Sequence, residues 1–254
     1  MPNSLFYLIA IFDFNEPGGP SSAYFANSTI ISLYDATAIN PANLPRIGNN
    51  GLALVYTKPF GLSTLTYNRL ILNLNRPALG FSFSSLGQTG YYEHTFTLAT
   101  GFALNLNFSY GIILKGYNVN IRDYGNDFFP SLNLGILFKQ STYRLALVFA
   151  DMNNPKSKQG DLIPASLQIG GSLNSFNGFS LSCDFLKNTV SERFLGGIEL
   201  NLLPIFSLRF GVATNPYLIA GGFGVSLKNL SIDYGYRYHP RLKETHVLSL
   251  SLKS

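Results

Sequence analysis

The 254-residue chain has few charged residues, one cysteine, no tryptophan and no long apolar run. Charged residues make up 12% of it, about half of the share expected in a soluble domain. The longest apolar run, Leu5 to Phe12, has eight residues, whereas a membrane-spanning helix needs roughly 18. The single cysteine, Cys183, excludes an internal disulfide framework and a multi-cysteine metal site. Low charge without an apolar helix points to a membrane protein that crosses the bilayer with strands.

The sequence also offers no clear motif for nucleic-acid binding, metal binding or catalysis. The net charge is +5, and the basic residues are scattered rather than clustered with stacking aromatics, so we expect no nucleic-acid partner. Metal binding or Ser–His catalysis would need side chains to converge in the fold, and of the three histidines, His94, His239 and His246, the first lies far in sequence from the other two. No phosphate-binding glycine loop or paired-carboxylate motif is present. We therefore predict no catalytic residues, no metal, no cofactor and no enzymatic activity.

What the chain does have is alternation with a period of two, which is typical of half-buried strands. In 230–238 (LSIDYGYRY), Leu, Ile and three Tyr fall on one face and Ser, Asp, Gly and Arg on the other. The segments 179–185 (FSLSCDF) and 206–211 (FSLRFG) repeat this design, and the first places Cys183 on the apolar face. Two residues, Ile71 and Leu137, break the pattern because they fall on the polar face.

The alternation predicts an all-β protein of about fourteen strands. We place them near 51–58, 65–74, 78–86, 93–100, 103–115, 131–139, 143–151, 164–174, 178–186, 193–202, 205–213, 218–227, 230–238 and 245–253. Tight connections at 74–78, 100–103, 140–143, 174–178, 202–205 and 227–230 alternate with longer ones at 86–93, 116–130, 151–164, 187–192, 213–218 and 238–245. This rhythm predicts a transmembrane antiparallel up-and-down β-barrel with both termini periplasmic, rather than a soluble sandwich.

The two longest predicted loops, 116–130 and 151–164, mix aromatic with polar residues. They could form a partner or ligand surface, or a lid folded over the barrel. Aromatic residues also cluster near strand ends, as they do where a barrel meets the membrane interface.

The polar face of the predicted strands carries isolated charges. Placing one of these charges, such as Arg209, against lipid would cost roughly 2–4 kcal/mol at mid-bilayer, so the alternation predicts that they face the lumen. They could neutralise one another, anchor a plug or line a permeation path. The predicted lumen-facing charges are Arg69, Lys139, Arg144, Asp184, Glu199, Arg209, Asp233 and Arg237.

The first forty-eight residues do not fit the strand pattern. We interpret residues 1–14 as either a truncated signal or an ordered apolar lead-in, because Leu5 to Phe12 is apolar but no Lys or Arg precedes Arg46. Residues 15–48 would be a plug inside the barrel formed by 49–254, since a wide barrel leaves a lumen. Within the plug, 21–33 has helical potential, and Asn40-Pro41 is a good helix start.

The plug sequence DATAINPANLP, residues 35–45, resembles the N-terminal plug of the FadL superfamily of outer-membrane barrels. That superfamily includes long-chain fatty acid transporters and the related type IX secretion barrels of the PorV/PorQ type. The chain is more similar to the second branch, both in this motif and in its ending YHPRLKETHVLSLSL, residues 238–252. The residues that carry the plug motif are Asp35, Ala36, Ala38, Asn40, Pro41, Ala42 and Leu44.

The resemblance implies a location in the bacterial outer membrane, in contact with its lipid, and leaves two functions open. In the first, the barrel is a scaffold or shuttle for secreted or surface proteins. In the second, it transports hydrophobic small molecules, which enter at the external loops, displace the plug and leave sideways into the membrane. The inward positions of the predicted strands are mostly Gly, Ser and Asn, which favours the scaffold.

Overall fold

The structure is a computed structural model that describes residues 18–23, 25–123, 125–158, 160–174 and 178–254. Fourteen strands form one closed antiparallel barrel, in which each strand pairs with its neighbours in sequence and β1 pairs with β14. This confirms the predicted up-and-down barrel. The strands are β1 (Gly51–Lys58), β2 (Thr66–Leu74), β3 (Leu79–Gln88), β4 (Tyr91–Ala103), β5 (Phe108–Ile121), β6 (Gly125–Lys139), β7 (Tyr143–Ala150), β8 (Ser166–Asn174), β9 (Phe179–Asn188), β10 (Glu192–Leu203), β11 (Phe206–Ala213), β12 (Leu218–Leu227), β13 (Leu230–Tyr238) and β14 (Thr245–Lys253).

The strand register gathers large apolar side chains on the outer face of the barrel. Leu54 of β1 lies opposite Leu70 of β2 on one side and Leu250 of β14 on the other. Alternate residues of β1 are exposed and buried in turn, and the same alternation runs through most strands, so the outer face is a nearly continuous band of Leu, Ile, Phe and Tyr. Such a band suits hydrocarbon rather than water. Cys183 lies on this outer face.

The two ends of the barrel differ in their connections. The end that holds the start of β1 and the finish of β14, called the termini end below, has connections of two to four residues at 75–78, 104–107, 140–142, 175–178, 204–205 and 228–229. The opposite end, called the far end, has the connections 59–65, 89–90, 122–124, 151–165, 189–191, 214–217 and 239–244. Only some of the far-end connections are long.

The predicted loop 116–130 is wrong, because most of it is strand. β5 continues to Ile121 and β6 begins at Gly125, which leaves a turn of three residues. The alternation persists here, with Tyr117 and Val119 buried inside the barrel. Pro130 is tolerated in β6 because β7 pairs only with the later residues of that strand, and a proline without an N–H fits an unpaired strand edge. The predicted long loop 151–164 is confirmed by the connection 151–165.

Two further boundaries were also predicted wrongly. The predicted loop 86–93 is a two-residue turn, in which Gly90 adopts a φ of +92° that favours glycine. The predicted tight turn 100–103 lies instead at 104–107, inside a stretch that alternates like a strand. There the Asn105 side-chain oxygen accepts hydrogen bonds from the backbone N–H groups of Asn107 and Phe108, both at 2.8 Å. This side-chain bonding favours a turn over a continued strand.

The segment before β1 contains little regular helix. The helix α1 spans Leu33–Ala38, and 3₁₀ helices cover Gly19–Ser22 and Pro41–Arg46. The predicted helix over 21–33 is wrong. Several backbone groups in that stretch bond to side chains of the barrel and of later residues, and the bond from the Ile30 N–H to the Asn27 carbonyl closes a single turn. Among the described residues no helix has the length and apolar character needed to cross a membrane.

The outer face yields a test of its contact with lipid. Leu70 lies midway along β2 with 45% of its surface exposed, so we expect Leu70→Arg to lower the free energy of unfolding in lipid vesicles by about 2–4 kcal/mol. Leu202, also exposed but close to the termini end, is the control, and Leu202→Arg should cost at most about 1 kcal/mol. Guanidinium titrations measure both values, and equal costs would contradict a bilayer placement.

Candidate functional site

The N-terminal segment, defined here as residues 18–47, packs against the inner face of the barrel, and most of its described residues are buried. The helix Pro41–Arg46 contacts β4, β5 and β6, α1 contacts β1 to β4, and the helix Gly19–Ser22 contacts β12, β13 and β14. The segment therefore crosses the lumen from one wall to the other. Residues 1–17 lie outside the described residues, so the predictions for the lead-in and for the first residues of the plug are not addressed.

Asp35 of the predicted plug motif holds the segment together internally. It accepts a hydrogen bond from the Ser32 hydroxyl at 2.5 Å, while its own N–H donates to that hydroxyl oxygen at 3.0 Å. The bond from the Asp35 N–H makes Ser32 the N-cap of α1. The Asp35 carboxylate also accepts a short hydrogen bond from the Ser21 hydroxyl, which ties the first turn of the segment to α1.

Asn40 starts the second helix of the segment and joins it to the barrel wall. Its side-chain oxygen accepts from the N–H of Ala42 at 3.1 Å, which confirms the predicted helix start, although the helix is 3₁₀ rather than α. Its side-chain nitrogen donates to the carbonyls of Ser28, at 2.9 Å, and Ile136 of β6, at 3.3 Å. Close approach requires glycine on the wall, because a Cβ at Gly135 would lie 2.2 Å from the Asn40 oxygen.

Pro41, Ala42 and Leu44 complete the predicted motif. Pro41 lies against β5 so closely that a Cβ at Gly111 would lie 2.8 Å from the proline Cβ. Ala42 and Leu44 are fully buried. They belong to two apolar clusters that each contain inward-facing residues of the strands.

Asp184 of β9 makes the most extensive polar contact between barrel and segment. Its carboxylate accepts from the backbone N–H groups of Asn27 and Ser28, both at 2.8 Å, and from the Ser28 hydroxyl at 2.9 Å. The Gln168 side chain of β8 adds a fourth donor at 2.7 Å. Hydrogen bonds to a charged group are stronger than neutral ones. The buried carboxylate therefore replaces the helical bonding that this stretch of the segment lacks.

Two arginines of the predicted set hold carbonyl groups of the segment. Arg237 of β13 donates to the carbonyls of Ser21 at 2.7 Å and Ser22 at 2.9 Å. Its guanidinium also lies 5.2 Å from the ring centre of Phe25, within the range of a cation–π contact. Arg144 of β7 donates more weakly, at 3.3 Å, to the carbonyl of Thr29.

Within the described part of the chain, the remaining predicted charges have contacts with other strand residues. Arg209 of β11 lies between Glu199, at 2.6 Å, and Asp233, at 2.5 Å, as a mostly buried ion triad. Arg69 of β2 is buried and donates to Ser82 of β3 at 2.9 Å. Lys139 lies near the termini end, directly across from Arg144 in the strand register.

Several residues of the site were missed by the sequence interpretation. Arg46 donates to the carbonyls of Asn105 and Leu106 at 2.8 and 2.9 Å and so fastens the segment to the β4–β5 turn. Asn73 of β2 donates to the carbonyl of Leu33 at 2.8 Å. Arg46 could have been singled out from the sequence because it is the first basic residue of the chain. Asn73 could not, because it is one of many asparagines on the polar strand faces.

The lumen is also more apolar than the sequence indicated. Ile71 packs with Leu33 and Tyr34 of the segment in one buried cluster, and Leu137 packs with Ala42 in another. The two residues that break the alternation are therefore those that meet apolar side chains of the segment. Inward positions of the strands include many Gly, Ser and Asn, as expected, but also the apolar residues of these clusters.

One apolar cluster inside the barrel contains no residue of the N-terminal segment. It consists of Tyr117, Val119 and Phe129, with Tyr91 and Ile163 packed against it, and is called the far-end cluster below. Its members come from the far-end halves of β4 to β6 and from the connection 151–165. Apolar side chains therefore lie near the far mouth of the lumen.

The three histidines lie in separate places and have different contacts. His94 stacks on Phe83, with ring centres 5.6 Å apart, and His246 contacts the Tyr234 hydroxyl at 2.6 Å. His239, in the loop 239–244, accepts from a backbone N–H at 3.0 Å, and burial, reinforced by Arg241, lowers its pKa. Within the described part of the chain, no three His, Cys, Asp or Glu side chains come together as a metal site would require.

Comparison with known proteins identifies the fold. No protein-family model matches the chain, and no curated protein matches it in sequence. Solved structures do match. The Ralstonia pickettii toluene transporter TbuX has a TM-score of 0.65 at 12% identity, over 93% of this chain and 98% of that chain. The P. putida toluene transporter TodX gives 0.62 at 11%, over 93% and 98%. A Pseudomonas aeruginosa FadL homologue gives 0.59 at 14%, over 92% and 97%.

The chain therefore has the fold of the FadL-type outer-membrane barrels. These neighbours are transporters and a FadL homologue, and they do not support the predicted closer relationship to the PorV/PorQ branch.

The anchoring by Asp184 can be tested directly. We expect Asp184→Ala to lower the free energy of unfolding by about 2–3 kcal/mol, because buried donors of Asn27, Ser28 and Gln168 lose a charged acceptor. Cleavage within residues 18–47 by added protease should become faster, as followed by mass spectrometry of the fragments. Glu244→Ala, in an exposed loop, is the control, and equal cleavage of the two variants would rule out the anchoring role.

Proposed function

We propose that the chain is a non-enzymatic outer-membrane channel for hydrophobic small molecules. The observation that carries this proposal is the likeness, over more than nine-tenths of the chain, to barrels described as toluene transporters, a FadL homologue and a monoaromatic hydrocarbon channel. The apolar outer band supports a position in the lipid of the bacterial outer membrane. The proposed partners are that lipid and a hydrophobic small molecule.

In this proposal residues 15–48 are the plug, and the described part of it supports that role. A fourteen-strand barrel is wide enough to leave a lumen. The segment spans this lumen and is held by the Asp184 carboxylate and the Arg237 guanidinium, while apolar clusters fix its helices to the wall. Such a segment would close the barrel to ions at rest.

The route begins, in this proposal, at the far-end cluster. The far end would face the cell exterior and the termini the periplasm, because bacterial outer-membrane barrels keep their short turns on the periplasmic side. A hydrophobic molecule would first contact Tyr117, Val119 and Phe129. It would then reach the segment, whose displacement would open a path onward.

The alternative role, a scaffold for secreted or surface proteins, stays a prediction without an observation in its favour. The main argument for it was a thin apolar lining of the lumen. Five buried apolar clusters lie inside the barrel, and the far-end cluster, which contains no residue of the segment, weakens that argument. Transport of hydrophobic molecules is therefore the function that the geometry favours.

Uptake measurements test the transport proposal. In cells lacking their own hydrocarbon channels, we expect the chain to raise the initial uptake rate of radiolabelled toluene. Phe129→Asn should lower that rate about tenfold, equivalent to roughly 1.4 kcal/mol, because it removes an inward-facing ring of the far-end cluster. The neighbouring Phe128→Asn is the control, since Phe128 is 58% exposed on the outer face.

An unchanged toluene uptake rate together with a stoichiometric co-purifying protein would favour the scaffold over transport. Native mass spectrometry of the detergent-purified chain would identify such a partner.

The plug is tested by conductance in planar bilayers. We expect the full chain to pass little current and a chain lacking residues 18–47 to form open channels, because this deletion removes the segment that spans the lumen. Heat-modifiable mobility in SDS gels checks that the shortened barrel is folded. Equal currents from two folded barrels would show that the segment does not seal the lumen.

A further inference from the structure

An apolar groove of about 380 Å³ lies on the outer face of the barrel, across β14, β1, β2 and β3. It is called the outer groove below. Its lining includes the exposed side chains of Leu54, Leu70 and Leu248. Tyr56 and Asn68, which lie opposite each other in the register of β1 and β2, line it on the side of the far end. The volume falls within the range of small-molecule sites, about 300–1,000 Å³.

Basic side chains lie on the same face, just beyond the outer groove. Lys58 follows Tyr56 by two residues on the exposed side of β1 and lies opposite His246, which is also exposed. Two residues of strand span about 7 Å, so Lys58 lies about that far beyond the edge of the groove. Arg241 and Lys243 are exposed in the β13–β14 connection. These four residues, Lys58, Arg241, Lys243 and His246, are called the basic corner below.

Contacts between two connections bring the parts of the basic corner together. A Cβ added at Gly61 of the β1–β2 connection would lie 3.4 Å from the Cβ of Lys243. The backbone N–H of Phe60 donates to the Thr245 hydroxyl at 2.9 Å. Because Gly61 follows Lys58 by only three residues, this packing places Lys243 over the end of the strand that carries Lys58.

The basic corner has a net positive charge. Lys58, Arg241 and Lys243 are cations, whereas Glu244 is the acid of the same connection. Within the described ranges, none of these three cations takes part in a salt bridge. Clusters of Lys and Arg at a membrane surface attract the anionic headgroups of lipids. The corner therefore suits a headgroup that carries a phosphate.

Aromatic residues beside the basic corner indicate the level of the membrane interface. The Tyr234 hydroxyl contacts Nδ1 of His246 at 2.6 Å, and the ring of Tyr236 lies edge-on to the same imidazole, with ring centres 5.4 Å apart. Toward the termini end this face continues with Ile232 opposite Leu250. Tyrosines are enriched where a protein surface passes from hydrocarbon to headgroups. The basic corner therefore lies at the headgroup level, and the outer groove lies at the level of the acyl chains.

We propose that the basic corner and the outer groove together bind one phosphate-bearing lipid of the membrane. The phosphate would lie between Lys58 and Lys243, and an acyl chain would lie along Leu54, Leu70 and Leu248. A free phosphate would leave the groove unfilled, and an uncharged lipid would leave the cations without a counter-charge. The inference rests on the membrane position in the proposed function but not on transport, because the site is on the outer face and the proposed route is in the lumen.

Native mass spectrometry of the full chain in detergent tests the role of charge. We expect dioleoyl phosphatidic acid to bind at one copy per chain and dioleoylglycerol, which has the same acyl chains without the phosphate, to bind at least about tenfold more weakly. Lys58→Gln and Lys243→Gln should each weaken binding of the phosphatidic acid severalfold, and the double variant at least about tenfold. Lys156→Gln, exposed in another far-end connection, is the matched control and should leave binding unchanged.

A second pair of variants tests the outer groove. Leu54→Phe should weaken binding of the phosphatidic acid severalfold, because the larger ring fills the groove. Leu114→Phe is the matched control, since Leu114 is exposed on the outer face of β5, away from the groove. Inorganic phosphate, which has no acyl chain, should bind at least about tenfold more weakly than the phosphatidic acid.

Several results would overturn the proposal. Equal binding of the two lipids would remove the role of the cations, and equal effects of Leu54→Phe and Leu114→Phe would remove the role of the groove. Unchanged binding in the double lysine variant would place the lipid elsewhere. If that variant loses its heat-modifiable mobility in SDS gels, the two single variants decide. Toluene uptake separates the two proposals, because loss of lipid binding with normal uptake would contradict only this one.

Discussion

Backbone polar groups inside a barrel must find partners there, and this requirement governs how residues 18–47 fold. A stretch without regular helix leaves N–H and carbonyl groups open. Here the barrel supplies the partners, because Asp184 accepts from N–H groups and Arg237 and Arg144 donate to carbonyls. The side chains of Asn40 and Arg46 carry the same bonding outward, from the segment to backbone carbonyls of the wall. The barrel wall and the segment therefore satisfy each other's backbone hydrogen-bonding groups.

The outer and inner faces of the barrel differ in the size of their side chains, because only the inner face contacts the N-terminal segment. The outer face carries bulky apolar residues, some of them in aromatic pairs such as Phe83 and Phe96. The inner face is small where the segment approaches closely, as at Gly135 and Gly111, and apolar where the segment presents its own apolar groups, as at Ile71 and Leu137. The inner surface of the barrel is therefore fitted to one particular chain segment.

Much of the fold could be predicted from the sequence because period-two alternation is a local signal. It gave the number of strands and the outward position of Cys183, and the Asn40-Pro41 pair gave a helix start. The same signal failed at 104–107, where alternating Leu and Asn imitate a strand but Asn105 closes a turn. The alternation also could not predict which residues form hydrogen bonds with one another. Whether Asp184 meets another strand or Ser28 depends on residues 156 positions apart, and no local pattern contains that information.

The unequal lengths of the strands shape the rim of the barrel. β6 has 15 residues and its neighbour β7 has eight. Their register places Leu134 opposite Phe149, so β6 continues for about eight residues beyond the end of β7, roughly 27 Å along the strand. The extended part of β6 pairs with β5, which pairs in turn with β4. The shorter side of the rim, at β7, is bordered by the connection 151–165. The far-end rim of the barrel is consequently slanted rather than level. The connection 151–165 spans this shorter side, where the Lys158 N–H donates to Asp127 of β6 at 2.6 Å, so under the proposed function this connection would control entry from that side.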